Sequence, residues 1–180
     1  MNSIALITKA YEFAAEKHCL QRRKGAKDVP YINHPIEVAN LLSHTSNTLN
    51  QTLIIAAILH DVLEDTNTSA AEIEQLFGSD VLSVVLEVTD NMRLSKLERR
   101  AAQISKASTI SDLAKQIKIA DKTCNILDIL TTRLAWTRSM KIEYIVWAME
   151  VVKGCRGVNP QLEAEFDKAC QMARNVLGNY

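Results

Sequence analysis

The stretch Leu53-Ile54-Ile55-Ala56-Ala57-Ile58-Leu59-His60-Asp61-Val62-Leu63-Glu64-Asp65 decides how this chain folds. Seven consecutive apolar residues open it, far short of the roughly 20 that span a bilayer. They fit a helix from about Asn50 to Leu63, buried on most sides. Around it the apolar residues recur with helical rather than alternating spacing. Ile4, Ile7, Tyr11 and Ala14 mark a first helix of about four turns. The stretch Gln21 to Pro35, which holds Gly25, Pro30, Tyr31 and Ile32, breaks the pattern and reads as an ordered loop. Pro35 suits the first turn of the following helix, where a missing N–H costs nothing.

Beyond the central stretch, Ser69-Ala70-Ala71-Glu72 and Ser95-Lys96-Leu97-Glu98 have the form of capping boxes. The first opens a short helix that Gly78 closes. Val81 to Val88 has strand propensity, but its spacing fits a helix packed on two sides. Further helices are expected over Ile110 to Leu130 and over Lys141 to Lys153, the latter ending near Gly154. Asn159-Pro160 caps a last one that runs toward Gly178. The expected fold is a single all-α domain over residues 1–180, with roughly eight to ten helices.

Composition narrows the function. Of 180 residues, 47% are apolar and 23% charged, close to the globular average. Twenty-one basic residues against 21 acidic ones leave no net charge, so the basic excess of a nucleic-acid or membrane-surface binder is missing. The first residues show no charged segment leading into a long apolar one, hence no secretory signal. Four cysteines, at 19, 124, 155 and 170, have no CxxC spacing. Reduced thiols in a cytoplasmic protein are the expectation.

The chemistry concentrates after the apolar run. On a helix, Glu64 is i+4 from His60 and i+3 from Asp61, and Asp65 is i+4 from Asp61. Three carboxylates and one imidazole crowd about one turn at a helix end that already carries partial negative charge. A bound cation would relieve this. A solvated acidic helix end, with His60 neutralising Asp61, fits the same spacing. Asp121, with Asn125 one turn on, lies in an apolar helical context, and His34 precedes Pro35 on a restricted backbone. Singly, His34 reads as a packed or capping histidine and Asp121 as a helix-surface carboxylate. Taken with His60 and Asp61 they make a mixed nitrogen and oxygen set that suits Mn²⁺, Fe²⁺ or Zn²⁺ better than Ca²⁺.

Four ordered strings carry a resemblance. Gln21-Arg22-Arg23-Lys24, Pro30-Tyr31-Ile32-Asn33-His34-Pro35, His60-Asp61-Val62-Leu63-Glu64-Asp65-Thr66 and Ala120-Asp121-Lys122 with Asn125 resemble the HD-domain hydrolases of the RelA/SpoT group. The chain looks most like their single-domain members, the small alarmone hydrolases and metazoan SpoT homologues. The likeness runs from about Ile4 to Gln161 and includes Lys96-Leu97-Glu98-Arg99 and Glu143-Tyr144 with Trp147.

That resemblance implies a helical HD bundle and Mn²⁺-dependent removal of the 3′-pyrophosphate from (p)ppGpp, giving GDP or GTP and pyrophosphate. It implies His34, His60, Asp61 and Asp121 as metal ligands. Glu64 and Asp65 would orient and deprotonate the attacking water, and Arg23, Lys24 and Asn125 would sit around the nucleotide. With the HD unit filling residues 1–180, no synthetase domain is expected. Leu127 departs from the family, which often has Arg there.

Lys96 and Arg99 fit either phosphate contact or a snorkelling helix surface. Tyr144 fits a pocket wall or the core, as do Trp136 and Trp147. His18 and His44 fall outside the motifs and read as structural and as an exposed helix end. Two rivals share the residues. One is an HD phosphohydrolase acting on another phosphorylated nucleotide, such as NADPH at its 2′-phosphate. The other is a helical nucleotide-binding protein without turnover, against which Glu64 and Asp65 argue, because binding alone needs no water-activating carboxylate.

Overall fold

The computed structural model describes residues 2–24, 26–46, 50–131 and 136–178. Gly25, which the sequence reading used, lies outside them. Ten α-helices occur among the described residues: α1 Ser3–Lys17, α2 Asn33–Thr45, α3 Gln51–Leu59, α4 Val62–Asp65, α5 Ala70–Phe77, α6 Ser79–Val88, α7 Lys96–Lys106, α8 Asp112–Thr131, α9 Arg138–Cys155 and α10 Pro160–Leu177. A small antiparallel pair, β1 Arg22–Arg23 and β2 Ala26–Pro30, lies between α1 and α2. The fold is all-α, as expected, but the segment read as loop carries this hairpin.

Helix α3 forms the centre. All of Leu53 to Leu59 is buried, packed among α1, α2, α6 and α8. A helix apolar all round has no face to offer water, so it must be enclosed. Burying each Leu or Ile side chain contributes about 1.5–3 kcal/mol. Asn50 starts it, accepting from the Leu53 N–H at 3.0 Å.

The helix expected to reach Leu63 stops at Leu59. His60 and Asp61 form a turn, after which α4 starts on the Asp61 carbonyl, which accepts from Glu64 and Asp65 N–H groups. Asp61 occupies the capping position of α4 yet makes no side-chain cap bond. Its carboxylate instead takes the Tyr31 hydroxyl and faces His60. A tertiary contact has displaced a local one.

Other starts and stops follow the sequence with small changes. Ser95 and Glu98 close a full capping box. Ser69 accepts from the Glu72 N–H, but the Glu72 carboxylate pairs with Lys17 on α1 at 2.8 Å. Gly78, at φ 90°, ends α5 and starts α6, a conformation that a Cβ would oppose. Helix α9 passes through Gly154 to Cys155. A Cβ at Gly154 would stand 2.6 Å from that of Ala107, so this glycine permits close packing rather than a helix stop. Ile4 is 73% exposed and lies outside the core, while Leu127 packs against it.

Helix α7 has no buried residue. It is held to α9 by the Trp147 indole N–H, which donates to the Arg100 carbonyl at 3.1 Å, and by the Arg100–Glu143 ion pair. No helix among the described residues is long and apolar enough to cross a membrane.

Candidate metal and phosphate site

Three elements bring their polar residues to one point. His34 enters from the first turn of α2, His60 from the end of α3, and Asp121 from the middle of α8. One ligand atom from each lies within 4.8 Å of the others, and all three side chains are buried. His34 Nε2 stands 3.1 Å from Asp121 Oδ1 and 3.9 Å from Asp61 Oδ2. His60 Nε2 stands 3.0 Å from Asp61 Oδ2 and 4.0 Å from Asp121 Oδ1. Asp61 thus flanks the compact trio, held by the Tyr31 hydroxyl.

The donor chemistry fits a divalent cation. The His60 Nδ1–H donates to the Ala57 carbonyl at 2.7 Å, which fixes the tautomer and leaves Nε2 facing the cluster. Among the described residues that nitrogen is buried without a well-formed hydrogen bond, although Asp61 lies close. Asp61 Oδ2, 3.0 Å from that nitrogen, is itself a candidate ligand, and a metal ion would satisfy both. Two imidazoles with carboxylates form the borderline set that suits transition metals.

Surrounding groups orient the carboxylates, as second contacts around metal ligands do. Lys122 donates to Asp121 Oδ2 at 2.8 Å, and Asn125 donates to Oδ1. Burial alone would raise Asp121, but Lys122 and the two histidines outweigh it and hold the carboxyl well below its usual range. Asp61 is also held down: His60 and His34 overcome its burial. Burial lowers His34 below its ordinary value, so it is neutral near pH 7. For His60 burial also acts downward, but Asp61, Asp121 and the Ala57 carbonyl prevail and carry it up to about 9.

That inversion has a measurable sign. Below about pH 9 the metal-free His60 is protonated, whereas a metal takes the deprotonated ring. Metal uptake at pH 7 should therefore expel about one proton, and affinity should rise up to tenfold per pH unit until about pH 9. Isothermal titration with Mn²⁺ in buffers of different ionisation enthalpy reads the proton directly. No proton release at pH 7 would show that His60 is not both protonated in the metal-free protein and a ligand in the metal-bound one.

The cluster forms the floor of a cavity of about 380 Å³ lined by all nine expected site residues. Glu64 lies in its wall, with Oε1 accepting from the Asp90 N–H at 2.6 Å. Burial pushes the Glu64 carboxyl up to about 7, aided by Asp61 and Asp90 and opposed by that N–H and by Lys118. Asp65 stands at the exposed rim, accepting from the Gln21 amide at 2.8 Å. Lys24 is exposed beside the opening.

Arg23 is more committed than a free phosphate ligand would be. Its Nε donates to Asp128 at 2.7 Å, and its Nη2 donates at 2.9 Å to both Asn125 Oδ1 and His34 Nδ1. Both ends of the Asn125 amide are then in use. On the far wall, Tyr144 lies between Trp136 and Trp147, with ring centroids 5.9 and 5.3 Å away. Lys96, Arg99 and Arg100 reach the same cavity from α7. His18 is buried against Tyr31, and His44 is exposed at the end of α2, so neither joins the site.

Sequence reading did not single out Lys118, Lys122, Asp90, Arg100, Gln103 or Asp128. A signal existed for the first two: Lys118, Asp121, Lys122 and Asn125 share one face of α8 at i, i+3, i+4 and i+7. Lys122 is 4% exposed, and its ammonium also lies 4.5 Å from the Trp147 ring centre.

Comparison with known proteins gives the family. The family model described as HD domain matches residues 10–143. The chain belongs to the HD-domain family. It is 48% identical to guanosine-3′,5′-bis(diphosphate) 3′-pyrophosphohydrolase MESH1 of Xenopus tropicalis, over 91% of this chain and 92% of that protein. The Homo sapiens protein of the same name is 45% identical, over 88% of this chain and 89% of its own length. Among HD-domain structures, one of a metazoan ortholog of SpoT that hydrolyses ppGpp superposes with a TM-score of 0.89 at 41% identity. It covers 93% of this chain and 95% of that one. Within the HD-domain family, this chain is therefore of the metazoan SpoT-homologue type.

Proposed function

We propose that this protein is a metal-dependent (p)ppGpp 3′-pyrophosphohydrolase, with Mn²⁺ as the ion and GDP or GTP and pyrophosphate as products. The observation that supports it most is the convergence of His34, His60 and Asp121 within 4.8 Å, under a cavity whose wall carries Glu64. The relatives named above act on ppGpp, and the cavity provides cationic walls for such an anion.

His34, His60, Asp61 and Asp121 would hold the ion. Bound there, a divalent metal lowers the pKa of a water molecule and offsets phosphate charge. Glu64 takes the proton of the attacking water, its carboxylate aimed by the Asp90 N–H. The water oxygen forms the new bond to phosphorus, the bond from phosphorus to the ribose O3′ breaks, and O3′ leaves as a hydroxyl with the proton that Glu64 took. Asp65 works at the rim, orienting water through its contact with Gln21. Lys24 and Arg23 meet the phosphates, and Asn125 fixes the Arg23 fork.

Arg23 has a second consequence. Because it donates to His34 Nδ1, the hydrogen of that neutral ring sits on Nε2 and points at Asp121. A metal needs Nε2 free. The hydrogen then belongs on Nδ1, and the Arg23 contact there gives way, freeing one Nη2 hydrogen for substrate while Asn125 and Asp128 keep the rest of the fork. All four cysteines are free thiols, three of them buried, which supports a reducing, cytoplasmic setting.

The test is chelator-stripped protein incubated with ppGpp or NADPH, with and without Mn²⁺, and products resolved by anion exchange. Metal-dependent GDP and pyrophosphate are expected. Phosphate released from NADPH with ppGpp untouched would move the substrate assignment, and no turnover of either by metal-loaded protein would reject it.

A further inference from the structure

Helix α8 carries Lys118 one turn before Asp121. Its ammonium donates at 2.6 Å to the carbonyl of Val88, the last residue of α6. Carbonyls at a helix end have no partner within the helix, and a cation there also suits the helix dipole. Two residues later, the Asp90 N–H makes the 2.6 Å bond to Glu64. Three covalently linked residues therefore connect the lysine to the group that aims the proposed base.

The rest of this loop is held from the other side. Asp90 Oδ2 accepts from the Gln103 amide of α7 at 2.8 Å, and Arg99 lies 3.8 Å from the same carboxylate oxygen. Glu87, in the last turn of α6, accepts from the Ser111 N–H just before α8 at 2.5 Å. Val88, Asp90, Gln103 and Lys118 also line a recess of about 40 Å³. Room exists for the loop to shift once a tether is removed.

An ammonium is a demanding choice for satisfying one carbonyl. Burial and the nearby Lys122 both disfavour its charge, while Asp121, Asp90 and Glu64 favour it. A role tied to these carboxylates accounts for a lysine in this place.

We infer that Lys118 is a positioning residue, which pins the 88–90 segment so that the Asp90 N–H holds Glu64 over the reacting water. The inference rests on the proposed hydrolysis and adds a residue to it. Misplacing a reacting group by about 1 Å can cost about a hundredfold in rate.

The test is Lys118→Met, which keeps the stem and removes the ammonium. Its kcat on ppGpp should fall about 10- to 100-fold, with KM, Mn²⁺ stoichiometry and substrate choice unchanged. In a Glu64→Gln background the same substitution should alter kcat by less than about twofold, because coupled residues do not add. The Asp90 amide resonance should also move, since its hydrogen bond is released. If Lys118→Met melts below the assay temperature, Lys118→Leu, which likewise donates nothing to Val88, carries the same comparison. Wild-type kcat in a folded, neutral variant would overturn the inference. So would an equal drop with and without Glu64, or a rise in KM alone, which would make Lys118 a substrate contact. An inactive wild type counts against the proposed reaction, whereas an unmoved Asp90 resonance counts against the Lys118 tether itself.

Discussion

Asp121→Ala should cost the protein both its metal and a large part of its stability. Asp121 and Lys122 are both buried, with Oδ2 and Nζ 2.8 Å apart. Removing the carboxylate leaves an ammonium shut away from water, and breaking such a pair by deleting one partner costs about 3–5 kcal/mol. The Trp147 ring beneath Lys122 offsets about 0.5–2 kcal/mol at most. For a chain of this size each kcal/mol moves the melting temperature by about 2–4 °C, so a net loss of about 1–4.5 kcal/mol lowers it by roughly 2–18 °C.

The double variant Asp121→Ala/Lys122→Met separates the two losses. With no stranded charge it should recover most of the melting temperature, yet bind no Mn²⁺, because Asp121 Oδ1 belongs to the cluster. Thermal melts in chelator, together with metal content by mass spectrometry, read both effects. A double variant that regains metal would remove Asp121 from the ligand set. One that stays as unstable as the single variant would show that the ion pair is not what Asp121 contributes to the fold.

Glu64→Gln has the largest expected effect on rate alone. Glutamine keeps a carbonyl oxygen to accept the Asp90 N–H, so the wall should keep its shape. What it cannot do is accept a proton from water. Positioned acid–base groups contribute about 10²–10⁴-fold, and kcat should fall by that factor while KM stays within about threefold. Metal content should match wild type, since Glu64 stands outside the compact trio of ligand atoms. A kcat close to wild type would strike Glu64 from the mechanism. Lost metal would make it a ligand instead.

Much of the molecule was legible before any coordinates. The seven-residue apolar run could be satisfied only by enclosure, and its burial from Leu53 to Leu59 followed. Asn50, Ser95 and Asn159 cap helices where local side-chain chemistry allows. Such signals act within a few residues, so a linear reading reaches them.

The failures share a cause. A continuous helix to Leu63 is the better local choice, but Tyr31 and His60 claim the Asp61 carboxylate, and the chain turns there. Glu72 leaves its capping box for Lys17, 55 positions away. Arg23, expected around the nucleotide, is held by Asp128 and Asn125, more than 100 positions distant. In each case a partner remote in sequence competes with a local one, and its geometry is absent from a linear string.

The helical class, the enclosed central helix and the inventory of imidazoles and carboxylates follow from the amino-acid string, because periodicity and residue chemistry are local properties. Which of them meet is set by how the helices pack. His34, His60 and Asp121 lie on three helices, and packing α2 and α8 around α3 brings their ligand atoms within 4.8 Å. The same packing buries Lys122 beside Asp121 and sets Lys118 against the end of α6. Charge, hydration and proton affinity depend on those distances and on exclusion of water, and neither exists until the chain has closed.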